Sequence, residues 1–427
     1  LKDITYQGEY VLTSIVDGNR CQGAIGANDT KVMNVGTLPE VNIDSTDFVA
    51  FKGQEFVLNA LDKKDNFTYS WSLNDATEEA DNGGVRGTME DEDMVYRLIA
   101  RDAGGCVAED TVTVYRVPDA PQVNITKADG DNKLKIHWEH NGRKTNGFKL
   151  WHNEWDAYAI ESAYTETGDS FAATATPEAI LDITDQDTLE FFYVVAFREI
   201  DLKDGQGKRR FSSLPSDTVG YKVDLIAIND KFSGKTNNNV VTWVFDMENV
   251  KTTADLFELL DSEKLNGING WRQTQQGWYN STTKDAFYDP ELDPIDKKYV
   301  NIFDLHLGEV YMLDASAANK LVQYGKLSSH VYEMNEYDGN RTNNNIVSLW
   351  LHKISLKTTS QIFHELVKEN LNAVSLWDFG NQGFYKSVTA DAFWEEGDDP
   401  QFEFDNIFDV KPTMPLLLDI AKPLEWK

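Results

Sequence analysis

The segment Asp110-Thr-Val-Thr-Val-Tyr115 alternates polar and apolar residues. Alternation with a period of two is typical of a β-strand that buries one face. The segments Tyr10–Val16 and Glu55–Ala60 have the same texture, and clusters of Gly, Asn and Asp separate them. Short strands divided by turn residues predict an all-β sandwich in this region.

Two aromatic motifs precede this segment. Tyr69-Ser-Trp71 is followed by Tyr96-Arg-Leu-Ile-Ala-Arg-Asp102, which leads through Gly104-Gly-Cys106 into the alternating strand. The pattern resembles the PKD/Ig-like modules that are common in secreted proteins of Bacteroidota. The resemblance covers about residues 39–117 and implies an Ig-like sandwich. Residues 1–38 resemble the last strands of a preceding Ig-like module, so we expect the chain to begin inside an array.

A second module follows a proline-containing linker, Pro118-Asp-Ala-Pro121. Proline fixes φ and biases the residue before it toward extended geometry, so we expect this linker to be stiff. Residues 119–223 resemble a fibronectin type III sandwich. The strands that carry the resemblance are Leu134–Trp138, Phe148–Trp151 and Phe192–Ala196.

The remainder of the chain repeats itself. Five blocks recur in the same order, four at a shift of 106 residues and the last at 105 after one deletion. The blocks are Asn237–Val240 and Asn343–Ile346, Thr252–Phe257 and Thr358–Phe363, Gln276–Tyr279 and Gln382–Tyr385, Asp285–Tyr288 and Asp391–Trp394, and Asn301–Asp304 and Asn406–Asp409. Ordered recurrence of this kind indicates a tandem duplication, which predicts repeat unit 1 at residues 224–326 and repeat unit 2 at residues 327–427.

Each repeat unit should contain one short helix. Thr252 with Asp255, and Thr358 with Gln361, have the spacing of a capping box, in which the side chains satisfy backbone N–H groups of the first turn. The predicted fold class is therefore mainly β. Tandem sandwich modules, Ig/PKD-like and fibronectin type III-like, precede two duplicated β-rich α+β units with one short helix each.

Composition excludes several classes of function. Among 427 residues, Lys+Arg number 40 and Asp+Glu 71, a net charge of −31 that repels nucleic acids and anionic membrane surfaces. Two cysteines rule out a disulfide scaffold, and no apolar run reaches the roughly 20 residues of a membrane helix. The sequence starts at Leu1 without a basic and apolar leader, so we expect any targeting segment to be cleaved or to lie upstream.

Two acidic loops are candidates for calcium binding, because carboxylate oxygens suit hard cations. A solvated acidic loop explains the same residues. The candidate ligands in repeat unit 1 are Asp289, Glu291, Asp293 and Asp296, and those in repeat unit 2 are Glu395, Glu396, Asp398 and Asp399.

Aromatic residues are retained through the duplication. Exposed rings could stack on sugars or anchor a protein partner, whereas a shared hydrophobic core would retain them equally well. The candidate contact residues are Trp271, Trp278, Tyr279, Trp377, Phe384 and Tyr385.

No catalytic signature is present: G-x-S-x-G, the Walker loop, H-E-x-x-H and the Rossmann fingerprint are all missing. We therefore expect no enzymatic activity and no cofactor other than calcium. The chain resembles secreted Bacteroidota adhesins, including the gliding-associated type exported by the type IX system. This implies a stiff spacer at the cell surface whose repeat units contact other surface or secretion proteins. The alternative is a set of glycan-binding accessory modules of an exported hydrolase.

Overall fold

The computed structural model describes residues 15–16, 22–23, 41–76, 79–80, 84–103, 105–130, 132–140, 144–156, 165–172, 177–232, 236–272, 275–335, 343–353, 355–390 and 403–427. The chain divides into two compact units. The first comprises Leu1–Ala120, Asn141–Phe148 and Val195–Leu214, and the second comprises Pro121–His140, Lys149–Val194 and Pro215–Lys427.

In the N-terminal part of the first compact unit, all regular elements of the described residues are strands. Its strands are β1 (Ile15–Val16), β2 (Gln22–Gly23), β3 (Asn42–Ile43), β4 (Phe48–Ala50), β5 (Glu55–Leu61), β6 (Phe67–Leu73), β7 (Glu79–Ala80), β8 (Gly84–Thr88), β9 (Met94–Asp102) and β10 (Val107–Arg116). β1 pairs with β2, and the other strands form the sheets β4-β10-β9-β6-β7 and β3-β5-β8.

The two larger sheets share one hydrophobic core, which confirms the predicted β-sandwich. Tyr69 and Trp71 of the first aromatic motif and Tyr96 and Leu98 of the second are all buried in it. Alternation places these residues on one face of β6 and β9, which pair antiparallel. Most of residues 1–38 lie outside the described part of the chain.

The fibronectin type III-like module is also a sandwich. Its strands are β11 (Gln122–Lys127), β12 (Lys133–Glu139), β13 (Gly147–Glu154), β14 (Thr165–Ala172), β15 (Glu178–Asp182), β16 (Thr188–Asp201), β17 (Lys208–Ser212) and β18 (Val219–Ile226). One sheet has the order β11-β12-β15, and the other contains β14-β13-β16-β18 with β17 paired to β16. Trp138, at the end of the predicted strand Leu134–Trp138, is 1% exposed, and its ring meets Phe171 edge-on with centroids 5.1 Å apart.

The two repeat units follow, and their elements recur in the same order. Repeat unit 1 contains β19 (Asn238–Thr242), α1 (Thr253–Leu259), β20 (Leu265–Arg272), β21 (Gly277–Lys284), β22 (Tyr299–Val300), β23 (Val310–Ala315) and β24 (Asn319–Lys326). Repeat unit 2 contains β25 (Tyr332–Met334), β26 (Asn344–Ser348), α2 (Thr359–Glu365), β27 (Leu371–Asp378), β28 (Gly383–Ala390), β29 (Phe404–Asp405), β30 (Pro415–Ile420) and β31 (Leu424–Trp426).

Strand order confirms the duplication. The main sheets run β19-β23-β20-β21-β22 and β26-β30-β27-β28-β29, so equivalent strands occupy equivalent positions. A capping box starts both α1 and α2, as the spacing predicts. Each helix buries two apolar residues against its sheet, Leu256 with Phe257 and Ile362 with Phe363.

A strand pair completes each repeat core. β24 pairs with β18 of the fibronectin-like sheet, and β31 pairs with β25. Ile226 and Leu321 from the first pair lie in the core of repeat unit 1, while Tyr332 and Trp426 from the second lie in that of repeat unit 2. Neither described helix has the length and apolarity that crossing a membrane would require.

Candidate functional site

The two repeat units contact each other through equivalent residues. Gln276 accepts a hydrogen bond from the Asn344 N–H at 2.6 Å and donates one to the Asn344 carbonyl at 3.0 Å. Gln382, the equivalent of Gln276, accepts from the N–H of Asn238 at 2.5 Å. Reciprocal contacts of this kind are what a two-fold arrangement of two similar bodies produces.

A second pair of contacts obeys the same relationship. The Thr242 hydroxyl of repeat unit 1 donates to the Thr413 carbonyl of repeat unit 2 at 2.9 Å. In the other direction, the Tyr332 hydroxyl donates to the Gly308 carbonyl at 2.8 Å and lies 3.0 Å from the Ser348 hydroxyl. All of these groups belong to the second compact unit.

The pseudo-two-fold arrangement creates two clefts. Cleft 1 has a volume of about 520 Å³ and cleft 2 about 280 Å³. The residues that line them occupy equivalent positions of the duplication. Position by position, they are Trp271 and Trp377, His306 and Lys411, Gly308 and Thr413, Glu309 and Met414, His330 and Asp224, Glu333 and Ala227, and Ile346 and Val240.

Trp271 and His330 form an aromatic wall of cleft 1, and each packs against neighbouring residues. Trp271, half-buried, meets Trp278 edge-on with ring centroids 5.5 Å apart, because the two residues face each other across β20 and β21. His330 packs against Gly308, where an added Cβ would lie only 2.2 Å from the imidazole. His330 also contacts the Tyr332 ring at 4.5 Å, and its burial lowers the pKa of the imidazole.

The rim of cleft 1 is acidic. Asp304, Glu309 and Glu333 are exposed and line it. Glu309 accepts a hydrogen bond from the Tyr311 hydroxyl at 2.6 Å. Among the described residues, none of the three carboxylates forms an ion pair with a lysine or arginine. The cleft therefore combines an indole wall with uncompensated negative charge, a combination that attracts cations.

Cleft 2 differs from cleft 1 in that its charged side chains have partners within the chain. The Lys411 ammonium lies 4.9 Å from the centre of the Trp155 ring, which lines this cleft from the fibronectin-like module. Lys222, 7% exposed, pairs with Asp224 at 2.6 Å. Lys411 and Asp224, which make these contacts, stand at the positions of His306 and His330 in cleft 1. The positions of Glu309 and Glu333 are the uncharged Met414 and Ala227 in cleft 2.

The predicted aromatic residues divide among several places. Trp271 lines cleft 1, while Trp377 lines cleft 2 and contacts Phe384 edge-on at 5.3 Å. Trp278 lines a separate shallow depression with Asn238 and Asn269. The side chains of the last two candidates, Tyr279 and Tyr385, lie outside the described residues.

The predicted calcium loop of repeat unit 1 is braced by its own carboxylates. Asp293 accepts from the Asp289 N–H at 3.0 Å, and Asp289 accepts from the Glu291 N–H at 2.9 Å. The Asp296 side chain and the whole loop of repeat unit 2, with Glu395, Glu396, Asp398 and Asp399, lie outside the described residues. Calcium binding by these loops stays a prediction.

Sequence reasoning did not identify His306, Glu309, His330 or Glu333 as site residues. They stand in two separate segments of the chain and carry no motif. The signal that could have found them is the duplication itself, because each of these four positions has a residue of a different chemical type in the other copy.

Comparison with known proteins adds little to this site. No protein-family model matches the chain, and no curated protein matches it. The chain is similar to the FN1–FN3 domains of chicken CNTN1, with 14% identity over 43% of this chain and 68% of that one, at a TM-score of 0.23. It is similar to the fibronectin(III)-like modules of CbhA from Clostridium thermocellum, with 16% identity over 42% of this chain and 92% of that one, at a TM-score of 0.22.

A third similar structure is a two-domain fibronectin type III segment of chicken tenascin, with 10% identity over 41% of this chain and 95% of that one, at a TM-score of 0.24. Likenesses with TM-scores this low carry no argument about function.

Proposed function

We propose that the chain is a non-catalytic, adhesive segment of a secreted cell-surface protein, and that cleft 1 is its contact for a protein partner. The observation that carries this is the group of three carboxylates around Trp271 with no lysine or arginine to pair them among the described residues. The partner presents a cationic side chain, which the indole face and the carboxylates bind together.

Cleft 2 supports this assignment by internal analogy. There, Lys411 on the Trp155 ring provides the cation and the indole from within the chain. In cleft 1 the position equivalent to Lys411 is His306, which is shorter and exposed. In cleft 1, a lysine or arginine of the partner would take the role that Lys411 of the chain itself has in cleft 2.

A structural role for the N-terminal modules is supported by contacts inside the first compact unit. Arg198 binds both carboxylate oxygens of Asp93, at 2.7 and 2.8 Å, and also donates to the carbonyl of Arg116. Arg116, 4% exposed, is held by Asp119 of the linker at 2.7 Å. Bidentate pairs of this kind restrict movement, as a spacer of the gliding-adhesin type requires. We propose an extracellular, type IX-exported protein on this basis and on the sequence resemblance.

Binding of a basic peptide tests the function of cleft 1. A fluorescent peptide rich in lysine and arginine is titrated into the full chain, with an acidic peptide of equal length alongside. We expect saturable binding of the basic peptide only, weakening as salt rises. Trp271→Ala and Glu333→Gln should each weaken it, whereas Trp377→Ala, the equivalent change in cleft 2, should leave it intact. Equal loss in both tryptophan variants would contradict the assignment.

Glycan binding is a second candidate function, as accessory modules of an exported hydrolase would need. It is favoured by the half-buried Trp271 ring beside hydrogen-bonding carboxylates, an arrangement that suits a sugar face. A glycan array probed with the full chain separates the two. Oligosaccharide binding that is insensitive to salt and lost in Trp271→Ala supports this second function and counts against the first.

A further inference from the structure

Three side chains of types that bind metal ions cluster in the fibronectin-like module, and none of them lines either cleft. Its members are His152 and Glu154 of β13 and Glu190 of β16, and each offers a ligand atom within 4.8 Å of the others. His152 and Glu154 are two residues apart on one strand, so their side chains project from the same face. β16 is the neighbouring strand, which places Glu190 beside them on that face.

The burial of this cluster makes its charge balance important. Phe148 and Leu150, on the same face of β13, are buried in the sandwich, and His152 and Glu190 are largely covered, with 28% and 15% of their side chains exposed. His152 Nε2 lies 3.1 Å from the Glu190 carboxylate. The hydrogen bond to Glu190 raises the pKa of His152, burial opposes it, and the charges of Glu190 and Glu154 add to the rise.

Glu190 is mostly removed from water and has His152 as its partner, whereas Glu154 is exposed at the edge of the cluster. The three side chains thus bring two carboxylates and one imidazole to one place, open to solvent on the Glu154 side. A bound divalent cation would replace the proton of His152 and neutralise both carboxylates.

We propose that His152, Glu154 and Glu190 form a binding site for a divalent transition-metal ion of the Zn²⁺ type. One imidazole nitrogen and two carboxylate oxygens are a ligand set that suits Zn²⁺ and leaves one position open. Ca²⁺ fits poorly, because it requires six to eight oxygen ligands.

Neighbouring aromatic residues hold the ligands in place. The Phe192 ring stacks on the His152 imidazole at 5.1 Å with an interplanar angle of 30°, which fixes the direction of Nε2. Tyr221 faces Glu190 across the strand pair β16 and β18. Burial, followed by the Glu190 charge, raises the pKa of Tyr221, so its hydroxyl stays protonated and donates to the carboxylate. Such supporting groups orient metal ligands and increase affinity.

Calorimetric titration of the full chain with Zn²⁺ alone tests the site. We expect one equivalent to bind per chain. The variants His152→Gln and Glu190→Gln should lose at least about tenfold in affinity, as removal of a ligand costs no less than removal of a supporting group. Circular dichroism of each variant verifies that the sandwich is folded.

The matched control is His364→Gln. His364 Nε2 lies 3.3 Å from Glu403, a similar pair, but Lys368 also binds Glu403 at 2.9 Å and takes the place of a second carboxylate. This variant should keep the Zn²⁺ equivalent. Absence of stoichiometric binding to the unmodified chain, or equal affinity in His152→Gln, would overturn the proposal. Titration with Co²⁺ gives an independent readout, since visible absorption of tetrahedral strength should appear with the unmodified chain and vanish with Glu190→Gln.

Discussion

Replacing Gln276 by alanine tests how the repeat units are held together. The side chain makes two hydrogen bonds to the backbone of Asn344, at 2.6 and 3.0 Å. Each such bond contributes a net of roughly 1 kcal/mol, so we expect Gln276→Ala to destabilise this contact by about 2 kcal/mol. Gln276 has a φ of 53°, which disfavours any residue with a Cβ. Because glutamine and alanine both have a Cβ, the backbone strain is the same before and after the change.

The structure also predicts which backbone N–H group loses protection in Gln276→Ala. Asn344 lies on β26, the edge strand of its sheet, and Gln276 covers the backbone groups that face away from β30. A destabilisation of the contact by about 2 kcal/mol raises its opening equilibrium constant roughly 30-fold, so the Asn344 N–H should exchange roughly 30 times faster. Gln382→Ala should accelerate exchange at Asn238 instead, because the hydrogen bond from that N–H ends on Gln382.

Hydrogen exchange is the appropriate assay, followed by mass spectrometry of peptides that contain Asn238 or Asn344 at least two residues after their first residue, since it does not require the whole chain to unfold in one step. Gln275→Ala is the neighbouring control: Gln275 is exposed and makes no hydrogen bond to repeat unit 2 among the described residues. Equal exchange in Gln276→Ala and the unmodified chain, or acceleration at Asn238 in that variant, would refute the reciprocal arrangement.

Three further changes test local features. Val367→Asp should stabilise repeat unit 2 by about 1 kcal/mol in urea unfolding, because Val367 has a φ of 64° and the equivalent Asp261 caps the following turn through its carboxylate. Thr252→Ala should cost about 1 kcal/mol in the same assay, since it removes the capping box of α1. Burial raises the pKa of Asp93, but hydrogen bonds led by that of Arg198 outweigh it and hold the pKa at about 2, against 3.8 for an ordinary carboxyl. The ionised Asp93 therefore contributes about 2 kcal/mol to the free energy of unfolding above pH 4, and this contribution is lost as the pH falls toward 2. In Asp93→Asn, the melting temperature should depend less on pH over this range.

Local patterns were sufficient to predict the strands, the helices and the duplication. Alternation in β10 and the capping pair Thr252 and Asp255 depend only on neighbouring residues, and both have the predicted structure. Residues such as Trp138 could be placed in a core because a large apolar side chain within a strand has few alternatives. These features lie within one element, where sequence spacing and spatial distance are closely related.

The clefts and the metal-binding cluster depend on distances that sequence spacing does not encode. Trp271 and His330 are 59 positions apart in the sequence, yet both line cleft 1. Glu190 reaches His152 because β16 lies beside β13 in the sheet, although β14 and β15 separate them in the chain. Only the fold shows that His152 has ligand atoms of two carboxylates within 4.8 Å.

The duplication explains why the two clefts differ. Both copies keep the strands, the helix and the glutamine that binds the other copy, because each of these supports a core or the contact between cores. The exposed carboxylates Glu309 and Glu333 of cleft 1 lie outside both cores, so their positions were free to diverge. In cleft 2, Lys411 lies over the Trp155 ring of the fibronectin-like module, so this cleft holds a contact within the chain. Cleft 1 is acidic and exposed, in part because it has Glu309 at the position that is Met414 in cleft 2. The proposed function assigns the contact with a partner to cleft 1, and the charge difference between the two copies is the feature that this proposal uses.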